Sequence, residues 1–389
     1  MDTSRPVVVA YYGGIGALAV ARTLGRLGVR SYLVAAKGSA GSDLVSRSRY
    51  WTARFWCDLH ASDKETLAFF CDVADRVGGK PILVTLSDRM ATFIDTNADA
   101  LQDRFCFRRG SPGVVAEFSD KWGMFRLAQI HGIPTPLTWL PRTRDDILKF
   151  MESASFPVVV KPTDPSASRL AEKAILSSPQ ELLEKFDRDA ELGPPNIVLQ
   201  EYIPGTAEDQ WMCDAYFGKG SECLAIFTGK KLRQVNDTGI ASIGVCLPNE
   251  VIERQTRRLM QCAGYEGLVD IGYRYDARDG QYKLLDVNPR LGGCFRLFRA
   301  TNGLDVMRVC YRDLTDQAVP TCALQPGRKW MLEEDVWSSL AYARQGKLTF
   351  GAWLSSLRGV RETHWFALDD PIPGFAWLRK TLPPRLRLR

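Results

Sequence analysis

In "KLLDVNPRLGG", residues 283–293, three polar side chains occupy alternate positions. On a strand, residues two apart project to the same face, so Asp286, Asn288 and Arg290 would share one wall while Leu285 and Val287 face a core. An acid and an amide oxygen suit a hard cation such as Mg²⁺, and a planar guanidinium beside them suits a phosphate or a carboxylate. Pro289 cannot donate to a central ladder, so it closes the strand or sits at its edge. That puts the group at the strand's carboxyl end, where α/β sheets bind ligands. A surface turn with a solvated Asp–Arg pair is the alternative for this stretch taken alone.

Two lysines point to the same chemistry. Lys121 lies in the first turn of an amphipathic helix in "SDKWGMFRLAQIHGIPTP", capped by Ser119 or Asp120 and stopped at Gly132. A cation there opposes the helix dipole, which suggests another task for it. Lys161 ends the apolar strand of "FPVVVKPTDPSASRLAEKAIL", a place better explained by a phosphate at the strand's mouth than by a core. Either lysine alone reads first as a solvated surface charge; the pair is more telling. In "NIVLQEYIPGTAEDQWMCDAYF" a strand leads to a hinge at Pro204 and Gly205 and then to acids. Such an order would grip an adenosine, with hinge backbone and Glu201 on the adenine and Glu208 on the ribose hydroxyls.

These residues need a frame of alternating strands and helices. "PVVVAYYGG", "IGALAVARTLGRLG" and "VRSYLVAA" form a right-handed βαβ unit, and the helix in "KETLAFFCDVADRVG" leads to the strand "PILVTLSD". Ser87 and Asp88 follow that strand and are expected to face the crevice as substrate contacts. "GGIGALA" places Gly14, Gly16 and Ala19 as a dinucleotide fingerprint would, but "SYLVAAKG" offers Lys37 and no acid for a ribose. An NAD-linked oxidoreductase rests on those glycines alone. Otherwise they make a tight turn whose helix N-terminus suits an anion.

At 389 residues the chain exceeds one ordinary core, and 45% hydrophobic with 25% charged residues is the composition of a soluble globular protein. The net charge of +6 suits anionic ligands, but no arginine-rich or aromatic-interleaved block points to nucleic acid. Ten cysteines without a CxxC pair, and only His60, His131 and His364, argue against a zinc cluster and for reduced thiols. No transmembrane-length run or signal-peptide order is visible, so a cytoplasmic location is expected. "EEDVWSSLAYARQGKLTFGAWLSSL" reads as an amphipathic cap on the core. The basic end "LRKTLPPRLRLR" reads as a loose solvated tail, with a weak membrane-surface or partner contact as the alternative.

Taken in order, Lys121 before "GIPTP", Lys161 in "VVVKP", the hinge "LQEYIPG" and "LLDVNPR" resemble the ATP-grasp superfamily of carboxylate–amine ligases, over residues 1 to about 320. The likeness is nearest to its predicted ATP-dependent carboligases; "RSRY" at 47–50 and "DDPIPG" at 369–374 look like that subgroup's flanking features. The resemblance implies a mixed α/β and α+β chain. A doubly wound α/β domain at 1–115 would precede a two-subdomain ATP-grasp fold, small at 116–200 and C-terminal at 201–320, with an extension at 321–389. ATP would be clamped between two sheets.

On that resemblance Lys121 and Lys161 would bind phosphates, Gln200, Glu201 and Ile203 the adenine, and Glu208 the ribose. Asp286 and Asn288 would hold Mg²⁺, and Arg290 the transferring phosphate or acyl oxygen. Lys231 and Arg233 of "GKKLRQ" would line the phosphate and substrate channel. The implied activity joins a small-molecule carboxylate, through an acyl phosphate, to an amine, releasing ADP and phosphate. A homodimer is one admissible assembly. Two departures stand out: Gly272 occupies the place of a second metal carboxylate, with Asp270 on the same face as its substitute, and the loop "TDPSASR" lacks glycine, leaving Ser166 or Ser168 to cover phosphates. They motivate the alternative of a catalytically degenerate ATP-binding protein with a regulatory or scaffolding role.

Overall fold

A computed structural model describes residues 1–381 apart from positions 14, 40, 59, 164–172, 191–195 and 236–238. Gly14, Ser166, Ser168 and the tail beyond residue 381 therefore lie outside the described residues. The first sheet holds β1 (Val7–Tyr11), β2 (Ser31–Ala36), β3 (Trp51–Cys57) and β4 (Ile82–Thr85), all parallel, in the order β3-β2-β1-β4. β1 and β2 are buried along their whole length, as unbroken apolar runs covered on both faces require. β3 is a strand the sequence reading did not anticipate: its burial alternates and it lies at the sheet edge, so polar residues interrupt its apolar signal.

A second sheet of β5 (Thr138–Trp139), β6 (Val158–Pro162), β7 (Ala174–Leu176) and β8 (Ile197–Glu201) is antiparallel, in the order β5-β8-β6-β7. One face packs Val158, Val160, Ile197 and Leu199 against Ile147 and Phe150 of helix Arg144–Ser153 and Leu182 and Phe186 of helix Pro179–Ala190. Alternation then turns Lys161 and Gln200 to the opposite face.

The third sheet has seven strands: β9 (Gln210–Phe217), β10 (Cys223–Gln234), β11 (Ala241–Cys246), β12 (Gly267–Asp276), β13 (Gln281–Asn288), β14 (Lys329–Met331) and β15 (Val360–Thr363). Their order is β13-β12-β9-β10-β11-β14-β15, which makes β13 an edge strand and leaves room for Pro289 directly after it. The two last strands belong to the region expected as a separate extension; it continues the sheet rather than merely capping a core. On one face of this sheet Met124 and Ala128 of helix Lys121–Ile130 pack with Ile252 and Leu259 of helix Glu250–Ala263. The other face shares a single core with the first sheet, running from Val7, Val9 and Leu18 through Tyr216 and Phe227 to Val306 and Trp330.

Two sequence features find their explanation in that shared core. Gly16 (φ 115°) caps helix Ala17–Gly25, and a Cβ on it would stand 3.0 Å from the Gly293 Cα. Gly16 is thus a close approach between the first sheet's domain and the chain after β13, which accounts for a glycine at that position without a dinucleotide. "RSRY" and "DDPIPG" meet: Asp370 accepts from Ser48 Oγ at 2.7 Å and from the Arg49 N–H at 3.0 Å, and Tyr50 Oη donates to Asp369 at 2.6 Å.

One expectation about the strand itself fails. Leu285 lines the cavity beside Asp286 instead of entering the core, and Leu284 is the buried residue. The register runs from Gly272 opposite Asp286 to Tyr273 opposite Leu284, so a bulge inserts one residue and shifts the alternation at that point.

Candidate active site

A cavity of about 590 Å³ lies between the second and third sheets. β6 contributes Lys161, β10 Lys231, β12 Asp270 and Gly272, and β13 Asp286 and Asn288, while Arg290 follows β13. Lys121 reaches in from its helix, whose N-cap is Asp120 accepting from the Gly123 N–H at 2.6 Å. A second cavity of about 400 Å³ opens at the carboxyl ends of the first sheet's strands, with Tyr12, Asp58, Asp88 and Arg89 in its wall. Lys121 and Asn288 are the residues common to both linings.

The charges of the larger cavity are arranged around Asp286. Its side chain is 39% accessible, yet so recessed that desolvation alone would raise its pKa. The Lys121 ammonium, which donates to Asp286 Oδ1, with Lys161 and Arg290 behind it, overcomes that effect and holds the carboxyl below its usual range. Lys161 donates to Gln200 Oε1 at 2.7 Å, and the Gln200 amide donates in turn to Thr138 Oγ1 at 3.1 Å. Burial lowers the Lys161 pKa to about 8, with Asp286 opposing the shift and Lys121 and Lys173 adding to it. Burial likewise lowers Lys231 to about 8; its ammonium donates to Gln210 Oε1 at 2.8 Å and to the Gly239 carbonyl.

Arg290 links the chain after β4 to β12. Its Nε donates to Asp88 Oδ1 at 3.1 Å and its Nη1 to Asp270 Oδ2 at 2.8 Å. Burial works against its charge, but those two carboxylates hold the guanidinium firmly protonated. Burial raises the Asp88 pKa against the pull of Arg290. Ser87, by contrast, caps helix Asp88–Thr96 and does not line either cavity.

Gly272 pairs directly with Asp286, and a Cβ on it would lie 3.8 Å from the Asp286 Cβ, so the position faces the site but brings no carboxylate. Asp270 pairs with Asn288 one step further along, and the Asn288 amide N–H donates to Asp270 Oδ2 at 3.3 Å. Among the described residues no group of three or more His, Cys, Asp or Glu side chains is placed to hold a metal. One carboxylate and one amide oxygen still fit Mg²⁺ when it arrives with phosphates and waters, because that ion is usually held by few protein ligands. They do not make a dedicated metal cage.

The other expected site residues lie off the cavity lining. Glu201 accepts from Arg278 at 2.6 Å and from the Leu137 N–H at 3.2 Å, Ile203 is buried at the hinge, and Glu208 pairs with Lys230 at 2.8 Å. Arg233 is buried against Asp335, donating at 3.0 and 2.7 Å.

Sequence reasoning missed Asp214. It is fully buried in the centre of β9 and pairs in register with Asp270. Neither carboxylate oxygen has a donor if both acids are ionised. Burial first, and the neighbouring Asp270 next, push its pKa well above the usual carboxylate range. A lone acid inside "WMCDAYF" was the available signal.

No family model matches the chain. Over 253 residues, 60% of this chain and 58% of the other, it is 26% identical to the D-aspartate ligase of Enterococcus faecium, and so spans little more than half of that protein's length. Its fold is similar to the crystal structure of the L-amino acid ligase from Bacillus licheniformis, with a TM-score of 0.62, 15% identity, and 85% of this chain and 79% of that one covered. It is similar as well to a biotin carboxylase–β,γ-ATP complex from Campylobacter jejuni, with a TM-score of 0.62, 14% identity and coverage of 84% and 75%.

Proposed function

We propose, from the ATP-grasp fold that this chain has, that it is an ATP-dependent ligase joining the carboxylate of one small molecule to the amine of another, with release of ADP and phosphate. The observation that carries this reading is the junction of two unlike cavities at Lys121 and Asn288. The larger, lined by Lys121, Lys161, Lys231 and Arg290, suits a nucleotide triphosphate. The smaller, with Asp58, Asp63, Asp88 and Asp120 beside Arg89, suits an amine-bearing substrate. A relative that is a D-aspartate ligase and a structural neighbour that is an L-amino acid ligase favour amino acids as the substrate class.

In this reading a substrate carboxylate oxygen attacks the γ-phosphorus, the bond to ADP breaks, and an acyl phosphate forms. Lys121 and Lys161 offset the charge that spreads over the moving phosphoryl group. A neutral amine then attacks the acyl carbon, phosphate departs, and the amine's surplus proton passes to solvent or an acid of the smaller cavity. Arg290, fixed between Asp88 and Asp270 in the wall of the larger cavity, stabilises negative charge on the acyl oxygen. Asp286 and Asn288 would hold Mg²⁺ on the phosphates, where its Lewis acidity would supply further charge neutralisation.

The test is ADP release on addition of amino acids in pairs. Release that needs both a carboxylate and an amine supports the ligase; tight ATP binding without release under any pairing favours the degenerate ATP-binding protein that Gly272 suggests.

Two further outcomes are expected. Asp88→Asn should raise the KM of one co-substrate several-fold and leave the Kd for ATP unchanged, since Asp88 lies in the smaller cavity; equal KM values for every substrate would take the substrate site out of the first domain. The Lys161 pKa of about 8 makes a pH prediction. Near pH 8.5 much of the free protein carries a neutral Lys161, and a bound phosphate favours the ammonium. ATP binding there should therefore take up protons, fewer at pH 7 where the lysine is already charged, and the affinity should fall as pH rises through 8. Calorimetry in buffers of different ionisation heat reads the uptake, and identical uptake in Lys161→Met would assign it elsewhere.

A further inference from the structure

Residues 336–389 carry all of the chain's excess charge. They hold nine Lys and Arg against three Asp and Glu, so that of chain totals of 51 and 45, residues 1–335 keep 42 of each. The three acids are each paired with arginines from elsewhere in the chain: Glu362 with Arg328 at 3.0 Å and with Arg296, Asp369 with Arg26 at 2.7 Å, and Asp370 with Arg22 at 3.0 Å. The described bases point out. Arg344, Lys347, Arg358, Arg361, Arg379 and Lys380 are all exposed.

The same segment is apolar on its outside. Ten of the 19 exposed large hydrophobic side chains of the described residues fall in 336–381. Helix Asp335–Arg344 is inverted: Asp335, Ser338 and Ser339 are buried, while Val336, Trp337 and Leu340 are 42%, 51% and 48% exposed. Helix Ile372–Thr381 repeats the pattern, burying Pro373 and Gly374 and exposing Ile372, Phe375 and Leu378 just before Arg379 and Lys380. Helix Phe350–Ser356 buries no residue and exposes Phe350 and Leu354 at i and i+4. Trp365 Nε1 and Trp377 Nε1 both donate to Glu334 Oε1, at 3.1 and 2.9 Å, which gathers the first and last of these helices at one edge of the fold.

From this juxtaposition of outward apolar helix faces with six exposed bases, we infer that residues 336–381 dock the protein on the surface of an anionic lipid bilayer. Helices with Trp, Phe and Leu on one side and Lys and Arg around them lie in the headgroup region, where apolar burial and attraction to anionic lipid act together. The docking is peripheral, because no described helix is long and apolar enough to cross a membrane. A second copy is the poorer occupant: an isologous contact would set this positive segment against itself. The inference is independent of the ligase reading, since none of these residues lines the two cavities.

Co-sedimentation of the purified chain with vesicles tests it. Binding is expected to vesicles of phosphatidylcholine mixed with phosphatidylglycerol, to be weaker by about tenfold or more on phosphatidylcholine alone, and to fall steeply as salt screens the charges. The triple variant Trp337→Ser, Leu340→Ser, Phe375→Ser should lose about tenfold in binding, and Arg379→Glu with Lys380→Glu a similar factor, both with an unchanged melting temperature and ATP affinity. Absence of binding to the anionic vesicles overturns the proposal, as does equal binding to neutral ones. A concentration-dependent dimer in solution that the triple variant abolishes overturns it as well, and assigns the face to a second copy.

Discussion

Asp286→Asn should cut ADP release by about 10²-fold or more, the scale of losing one charged group that stabilises a transition state. The substitution keeps size and hydrogen-bonding capacity, so packing in β13 is preserved and the effect is electrostatic. Asp286 is the acid that three cations surround, with Lys121 donating to it and Lys161 and Arg290 in its field. The other carboxylate on this wall, Asp270, is already engaged by Arg290 and Asn288, and Gly272 offers no replacement. Loss of one carboxylate should therefore be more damaging here than where two share the task.

The ATP affinity of that variant separates two opposed effects. Without Mg²⁺, removing a negative charge from a phosphate site should leave ATP binding unchanged or tighter. With Mg²⁺ it should weaken, because the metal loses its one strand carboxylate. Calorimetry with and without the metal reads both signs. If Asp286→Asn retained full Mg²⁺-dependent turnover and affinity, the metal role would pass to Asp270. Arg290→Lys belongs beside it: a lysine keeps the charge but cannot span Asp88 and Asp270 as the planar fork does, so kcat should fall more than ATP affinity.

How much of this was legible depended on whether a contact is local. Alternation along one strand sufficed to put Asp286, Asn288 and Arg290 on one face, and all three line one cavity. It misplaced Leu285, because a bulge is set by how β12 pairs with β13 and leaves no trace in the period of either strand. Asp214 was overlooked for the same kind of reason. Alone it is an acid in an apolar strand; its meaning comes from Asp270, which only the pairing of β9 with β12 brings opposite. The glycine turn was legible as a tight turn, but not the reason for it: a side chain at Gly16 would meet Gly293, a partner far along the chain. Surface charge was the least legible. The balance of 42 against 42 in residues 1–335 can be counted from the sequence, but that the acids of the remainder are paired with arginines and its hydrophobic side chains turn outward cannot.

Arg233 brings the two kinds of evidence into direct conflict, and its substitution should give the largest loss of stability. By its place in "GKKLRQ" it was expected in the phosphate and substrate channel. In the fold it is 4% exposed and forms a forked pair with Asp335, which also accepts from Ser242 at 2.7 Å and Ser339 at 3.1 Å. β10 alternates, so Arg233 and its neighbour Lys231 share a side, but the register shifts between them, and only Lys231 reaches the cavity. Arg233→Met would leave the Asp335 charge buried with two hydroxyl donors and no cation, a loss of about 3–5 kcal/mol. The melting temperature should drop by several degrees while kcat of the folded protein changes little. Replacing both partners, Arg233→Met with Asp335→Leu, should recover most of that stability, because an apolar pair needs no compensation. A large fall in kcat with an unchanged melting temperature in Arg233→Met would return the residue to the channel. Failure of the double variant to recover would show that Ser242 and Ser339, left without their acceptor, hold the end of the sheet together as firmly as the arginine does.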